Sequence, residues 1–105
     1  MGGERVFTWD AAKALANRRL HGVSFEAAIE VFDDPNHVVN ENYFVEKQGE
    51  QRYAAIGMTR GLALLLVVFV DRSAPEREVI HLISARKAER YEAKIYTAHL
   101  QNQNQ

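Results

Sequence analysis

Every position from Leu62 to Val70 is apolar: Leu-Ala-Leu-Leu-Leu-Val-Val-Phe-Val. A turn signal precedes the run at Thr59-Arg60-Gly61, and another follows from Asp71 to Pro75. Its length, flanks and β-branched content predict a strand rather than a buried helix. Side chains alternate across a strand, so Leu62, Leu64, Leu66, Val68 and Val70 share one face, and Ala63, Leu65, Val67 and Phe69 the other. Both faces are apolar, which predicts the central strand of a sheet, covered by helices on one side and partly covered on the other. The run is too short to cross a bilayer, which takes about 20 apolar residues as a helix.

Upstream the rhythm is helical. Val6 to Trp9 predicts a short edge strand. Asp10 can cap a helix running to about Leu20. On it Ala12, Leu15, Ala16 and Arg19 share a face, and Lys13 and Asn17 lie side by side on another. His21-Gly22 ends it, with Gly22 as a left-handed cap. Ser24 caps the next helix, in which Phe25, Ala28, Ile29 and Phe32 recur at helical spacing. Pro35 stops it, because the residue before proline is pushed out of the α region. The short connection predicts an αα-hairpin.

From His37 the pattern becomes extended. Val38-Val39 and Tyr43-Phe44-Val45 read as strand pieces, and Gln48-Gly49-Glu50 as a hairpin turn. A strand follows over Arg52 to Met58, in which Gly57 marks a bulge or a close approach. In Glu78 to Ser84, Val79, His81 and Ile83 alternate with Ile80, Leu82 and Ser84. Ser84 or Ala85 then opens a last helix to about His99, with Ala88, Tyr91 and Ile95 as its apolar stripe and Arg86, Arg90 and Lys94 as a basic ridge. The predicted class is α+β: two N-terminal helices, a four-stranded antiparallel meander sheet and a C-terminal helix. Residues 1–100 make one domain, and 101–105 a polar tail.

Composition narrows the function. The 13 Lys+Arg and 14 Asp+Glu leave a formal net charge of −1, which argues against a general polyanion binder but not against a local basic patch. With 0 cysteines there is neither a disulfide framework nor a thiolate nucleophile or zinc ligand. The start has no apolar signal-peptide core, so a soluble cytoplasmic protein is expected, without membrane attachment. The four histidines, His21, His37, His81 and His99, form no helical metal pair, and no metal or cofactor is expected. There is no phosphate-binding glycine loop, nucleophile elbow or His-Glu-x-x-His.

Chemistry therefore rests on scattered residues. His81 lies near the strand–helix junction that carries Ser84 and Arg86, and an imidazole suits general acid–base work near neutrality. The ordinary alternative is a half-buried strand histidine with its hydrogen bond satisfied. Arg86, placed in the first turn of the last helix, suits a phosphate with bidentate geometry; a salt bridge to Glu89 or a nearby carboxylate serves equally well. Thr59-Arg60 enters the central strand, and Lys13, Arg18 and Arg19 give the first helix a positive surplus. With Arg86, Arg90 and Lys94 these cations suit a short single-stranded RNA better than duplexes at large. Tyr91, Tyr53 and Phe44 can stack on bases if exposed, though Phe44 better fits the core.

The ordered set Trp9-Asp10-x-x-Lys13, Asn17, His21-Gly22-Val23-Ser24-Phe25, Phe32-Asp33-Asp34-Pro35, Arg52-x-x-x-Ile56-Gly57, Val67-Val68-Phe69 and Ile83-Ser84-Ala85-Arg86-Lys87-Ala88 resembles the BrnT toxin family, long catalogued as a domain of unknown function. The likeness spans Phe7 to about Tyr96. It implies a RelE-like fold and a metal-independent ribonuclease that blocks translation, the toxin half of a type II toxin–antitoxin pair. It implies a BrnA-like antitoxin, a hetero-oligomer with it, and operator DNA reached only through it. Cleavage would be attack of a 2′-OH on the adjacent phosphate, giving a 2′,3′-cyclic phosphate. The resemblance then puts Arg86 and Arg60 on the phosphate, Lys13 or His21 in support, and His81 as acid or base. Arg19, Thr59, Arg90 and Ser84 would contact RNA. Members commonly read Lys where this chain has Leu20, and Arg where it has His81. These departures imply reduced activity, altered preference, or a role passed to His81 and Arg19. The rival expectation is a weak or inactive member that binds its antitoxin and takes part in operon autoregulation. A third is an unrelated small-ligand or housekeeping domain.

Overall fold

The apolar run forms the middle strand of a five-stranded sheet. In the computed structural model, which describes residues 4–40 and 50–103, the elements are β1 (Glu4–Thr8), α1 (Ala11–His21), α2 (Phe25–Ala28), a 3-10 turn (Ile29–Asp33), β2 (Val38–Asn40), β3 (Tyr53–Met58), β4 (Leu64–Asp71), β5 (Arg77–Lys87) and α3 (Arg90–Gln103). The order across the sheet is β1-β5-β4-β3-β2. The antiparallel meander is present from β2 to β5. The sheet is mixed rather than wholly antiparallel, however, because β1 adds a fifth strand parallel to β5. That pairing joins segments at opposite ends of the chain, and no turn marks it. Arg5 stitches it by donating from Nε to Glu78 at 2.6 Å. The strand piece at Tyr43-Phe44-Val45 and the turn at Gln48-Gly49 lie outside the described residues.

The two N-terminal helices are capped as their sequence directs. The Asp10 carboxylate accepts from the Lys13 N–H at 3.0 Å, and Gly22 adopts φ 71° at the other end of α1. The Ser24 hydroxyl accepts from the Ala27 N–H at 3.1 Å. Beyond Ala28 the second helix tightens to 3-10 geometry, which presents Val31 to the sheet at Gly57. A Cβ on Gly57 would stand 2.7 Å from Val31 Cγ1, so this is the expected close approach. On one face of the sheet Phe25, Ala28, Val31 and Phe32 pack on Ala55, Leu65, Val67, Phe69 and Leu82. Burying each large side chain contributes about 1.5–3 kcal/mol. On the other face Tyr96 of α3 packs on Ala54, Ile56 and Leu66.

Four expectations are corrected. Ala12, Leu15, Ala16 and Arg19 of α1 are exposed; its inward residues are Ala14 and the buried Asn17. The Asn17 amide takes the edge of β5 where β1 has ended, accepting from the Ala85 N–H at 3.1 Å and donating to the Ala85 carbonyl at 2.9 Å. With Ala85 satisfied in this way, β5 stays extended to Lys87, and α3 starts at Arg90 rather than at Ser84 or Ala85. Arg86 is thus a strand residue. The inward side of α3 is Glu92 and Tyr96, while Tyr91 and Ile95 of the expected stripe are exposed. Finally, a bulge at Ile83 resets the alternation in β5, since Val68 pairs with Ser84 but Phe69 with Leu82. Ser84 and Arg86 therefore share a face with His81.

Candidate functional site

Among the described residues, the part of the second face that α3 leaves uncovered is a strip along β5. His81, Ser84 and Arg86 stand on it, all half-buried. Thr8 of β1 pairs with His81 across the parallel ladder. Its Oγ1 lies 2.7 Å from His81 Nδ1, while Nε2 has no hydrogen-bond partner among the described residues. Burial, and then the positive charge of Arg72, push the imidazole pKa below its ordinary value, and Lys13 adds to the push; Glu50 and Asp10 oppose it. His81 is therefore neutral near pH 7. A hydroxyl can donate or accept, so Thr8 supports either tautomer. With Nδ1–H donating to Thr8, Nε2 offers a lone pair; with Thr8 donating to Nδ1, Nε2 carries a proton.

Lys13 reaches this strip from α1. Asn17 points at the edge of β5, and Ala14 packs against the first core. At 100° per residue Lys13 stands about 40° from Asn17, on the side away from Ala14, and its charge acts on His81. Its ammonium makes no ion pair among the described residues. Arg52 precedes β3 by one residue and shares a face with Ala54, which pairs with Val68. Its Nε is buried without a hydrogen-bond partner among the described residues.

Arg86 is held differently. Nη1 and Nη2 each donate to Glu92 at 2.8 Å, Nη1 also to the Lys87 carbonyl at 3.1 Å, and Glu89 lies 3.4 Å from Nη2. Glu92 is only 2% exposed. Burial alone would raise its pKa, but the bonds from Arg86 and the Glu89 N–H overturn that and hold it below the usual range. The same Glu92 bonds raise Arg86 above its own ordinary value. His81 and Arg86 pair with Val70 and Leu66 of β4, four residues apart, so with the bulge taken up they stand about 13 Å apart along the strand. The Arg86 guanidinium is turned to Glu92 instead of standing free beside His81. A single strand of RNA laid along β5 would pass them in turn.

The other expected residues lie elsewhere. Arg60 is in the β3–β4 turn, pairing with Glu30 at 3.2 Å and Asp33 at 4.0 Å. Thr59 beside it is buried, its hydroxyl accepting from the Ala63 N–H at 3.1 Å. Arg19 and His21 are exposed near the C-terminal end of α1, and Arg90 at the start of α3. The structure thus groups His81, Ser84 and Lys13 with Arg86 farther along the strand, and separates Arg60, Thr59, Arg19, His21 and Arg90 from them. Thr8 and Glu92 were missed. Thr8 had no signal, because its partner is 73 residues away. The Arg86–Glu92 spacing of six fits neither a helix turn nor a strand face. Among the described residues no group of three or more His, Asp or Glu could hold a metal ion. No helix among them is long and apolar enough to cross a membrane.

The family model described as "Ribonuclease toxin, BrnT, of type II toxin-antitoxin system" matches residues 9–92. The chain belongs to the BrnT family. Membership implies an RNA target and an antitoxin partner, and it sets aside an unrelated housekeeping domain. The crystal structure of the Brucella abortus ribonuclease toxin BrnT, at 1.1 Å resolution, is 22% identical, with 83% of this chain and 99% of that chain covered and a TM-score of 0.49. No curated protein matches this chain.

Proposed function

We propose that this BrnT-family chain is a metal-independent endoribonuclease of the cytoplasm, neutralised by a BrnA-like antitoxin through which alone it reaches operator DNA. The observation that carries the reading is His81: its Nδ1 is engaged by Thr8, its Nε2 has no partner among the described residues, and Lys13 is close enough to enter its charge field. His81 Nε2 removes the proton of an RNA 2′-OH. The 2′-oxygen bonds to phosphorus, the bond from phosphorus to the 5′-oxygen breaks, and the leaving oxygen takes a proton from solvent. The products are a 2′,3′-cyclic phosphate and a 5′-OH. Lys13 faces the charge that develops on the phosphorane, where a fixed cation lowers the barrier. Ser84 and Arg86 lie farther along the RNA path. Arg60, His21, Arg19, Thr59 and Arg90 serve at most as outlying contacts to the backbone.

One observation favours the alternative, a member that binds its antitoxin and joins in autoregulation without cleaving. The guanidinium of Arg86 is already occupied by Glu92 and Glu89. A cleavage assay in excess EDTA separates the two. The expected result is cleavage giving cyclic-phosphate ends at an undiminished rate. No cleavage by well-folded protein, with or without Mg²⁺ and with ribosomes supplied, would favour the non-cleaving member.

A further inference from the structure

We propose that the cleft between the C-terminal end of α1, α2 and the β3–β4 turn receives an acidic segment of the antitoxin, anchored by an aliphatic side chain. This rests on the toxin–antitoxin reading of the chain and adds where the partner binds. The cleft has a volume of ≈ 230 Å³ and an aliphatic lining of Val23, Ala27, Ala63 and Leu65, with Arg18 and Lys87 also at its wall. Neither cation has an ion pair among the described residues, so both charges are available at the cleft wall. An acidic ligand is what two unmatched cations beside an apolar hollow would select.

The adjoining turn supports a protein partner. Leu62 adopts φ 65°, where a side chain with a Cβ is disfavoured, and it is 81% exposed. The turn is fixed around it: Thr59 N–H donates to the Ala63 carbonyl and Leu62 N–H to the Thr59 carbonyl, each at 2.9 Å. A leucine both strained and turned to water gains nothing within this chain, so its use is sought outside. Arg18 and Ser24 also line a second cleft of ≈ 280 Å³ with Trp9, Ala14, Phe25, the exposed Leu15 and one carboxylate, Glu26. The two clefts together suit a segment rather than a single side chain.

RNA fits the first cleft less well. Bases are recognised by aromatic stacking and by hydrogen bonds to their edges. No aromatic side chain lines this cleft, and the Ser24 and Thr59 hydroxyls already accept from backbone amides. The cleft also lies on the opposite side of α1 from Lys13.

The test uses the full chain and the antitoxin of its operon. Binding is measured calorimetrically for the parent, Ala27→Phe and the double variant Arg18→Glu/Lys87→Glu, with RNA cleavage by the free toxin alongside. The proposal expects each variant to raise Kd at least tenfold, with free-toxin cleavage by Ala27→Phe within twofold of the parent. If Ala27→Phe fails to fold, the surface double variant decides. An unchanged Kd in the double variant overturns the proposal. So does lost RNA binding with antitoxin affinity intact, which would make this a nucleic-acid site, or a change in self-association by sedimentation, which would make it an interface between copies. A parent that neither binds the antitoxin nor cleaves RNA brings down the toxin–antitoxin reading itself; a parent that does both, with indifferent variants, brings down only the cleft.

Discussion

The Thr8–His81 contact fixes the imidazole ring and leaves Nε2 without a partner among the described residues. A base works only when deprotonated, and burial followed by Arg72 lowers the His81 pKa from 6.5. The cleavage rate should therefore rise with pH along an acid limb whose midpoint lies below 6.5. Thr8→Val removes the hydroxyl, and we expect it to lower the rate roughly tenfold, part of the 10²–10⁴ that general acid–base catalysis supplies, and to move the limb. A pH–rate profile of both proteins on a short oligonucleotide checks this. A parent limb at or above 6.5, unmoved in Thr8→Val, would contradict it. His81 was legible as a candidate from its side-chain chemistry, and Lys13 through the family resemblance. Thr8 was not, since only the fold brings β1 beside β5.

At the scale of elements, legibility followed locality. The strand β4 could be read from its own residues, and the caps Asp10, Gly22 and Ser24 from theirs. The end of β5 could not, because Ala85 is held extended by Asn17 from another element. The bulge at Ile83 likewise has no local signature, yet it decides which side chains join His81. Gly57 was legible as a close approach, and its consequence is measurable. Gly57→Ala sets a methyl 2.7 Å from Val31 Cγ1 and 3.1 Å from the Val31 carbonyl. We expect a loss of about 1–3 kcal/mol in urea unfolding, as overpacking of a tight interior usually costs. Val31→Ala in the same chain should recover part of that loss, because it removes one of the colliding groups. Strict additivity of the two changes would mean that the 3-10 turn does not press on β3.

Across the whole molecule, α3 is fixed at two points. Near its start Glu92 binds Arg86; one turn later the Tyr96 hydroxyl donates to Asp34 at 2.7 Å. Burial, then the bond to Asp34, push the Tyr96 pKa up to about 12. Asp34 also accepts from the backbone N–H groups of Met58 and Asn36, and these bonds with the Tyr96 one outweigh burial and hold its carboxyl below the usual range. The helix thereby covers β3 and the start of β4 but leaves the β5 strip open. Arg86 belongs to this fastening, whereas His81 and Lys13 face the open strip. Arg86 and His81 should therefore fail in different ways. The measurement that separates them is single-turnover RNA cleavage and thermal stability, recorded together for His81→Ala and Arg86→Gln. We expect His81→Ala to melt like the parent and lose cleavage by about 100-fold or more. Arg86→Gln should lose about 2 kcal/mol of stability, because Glu92 is left buried without its cation, and keep most of its rate where it remains folded. Full cleavage by His81→Ala, with the rate lost instead in a stably folded Arg86→Gln, would contradict the account.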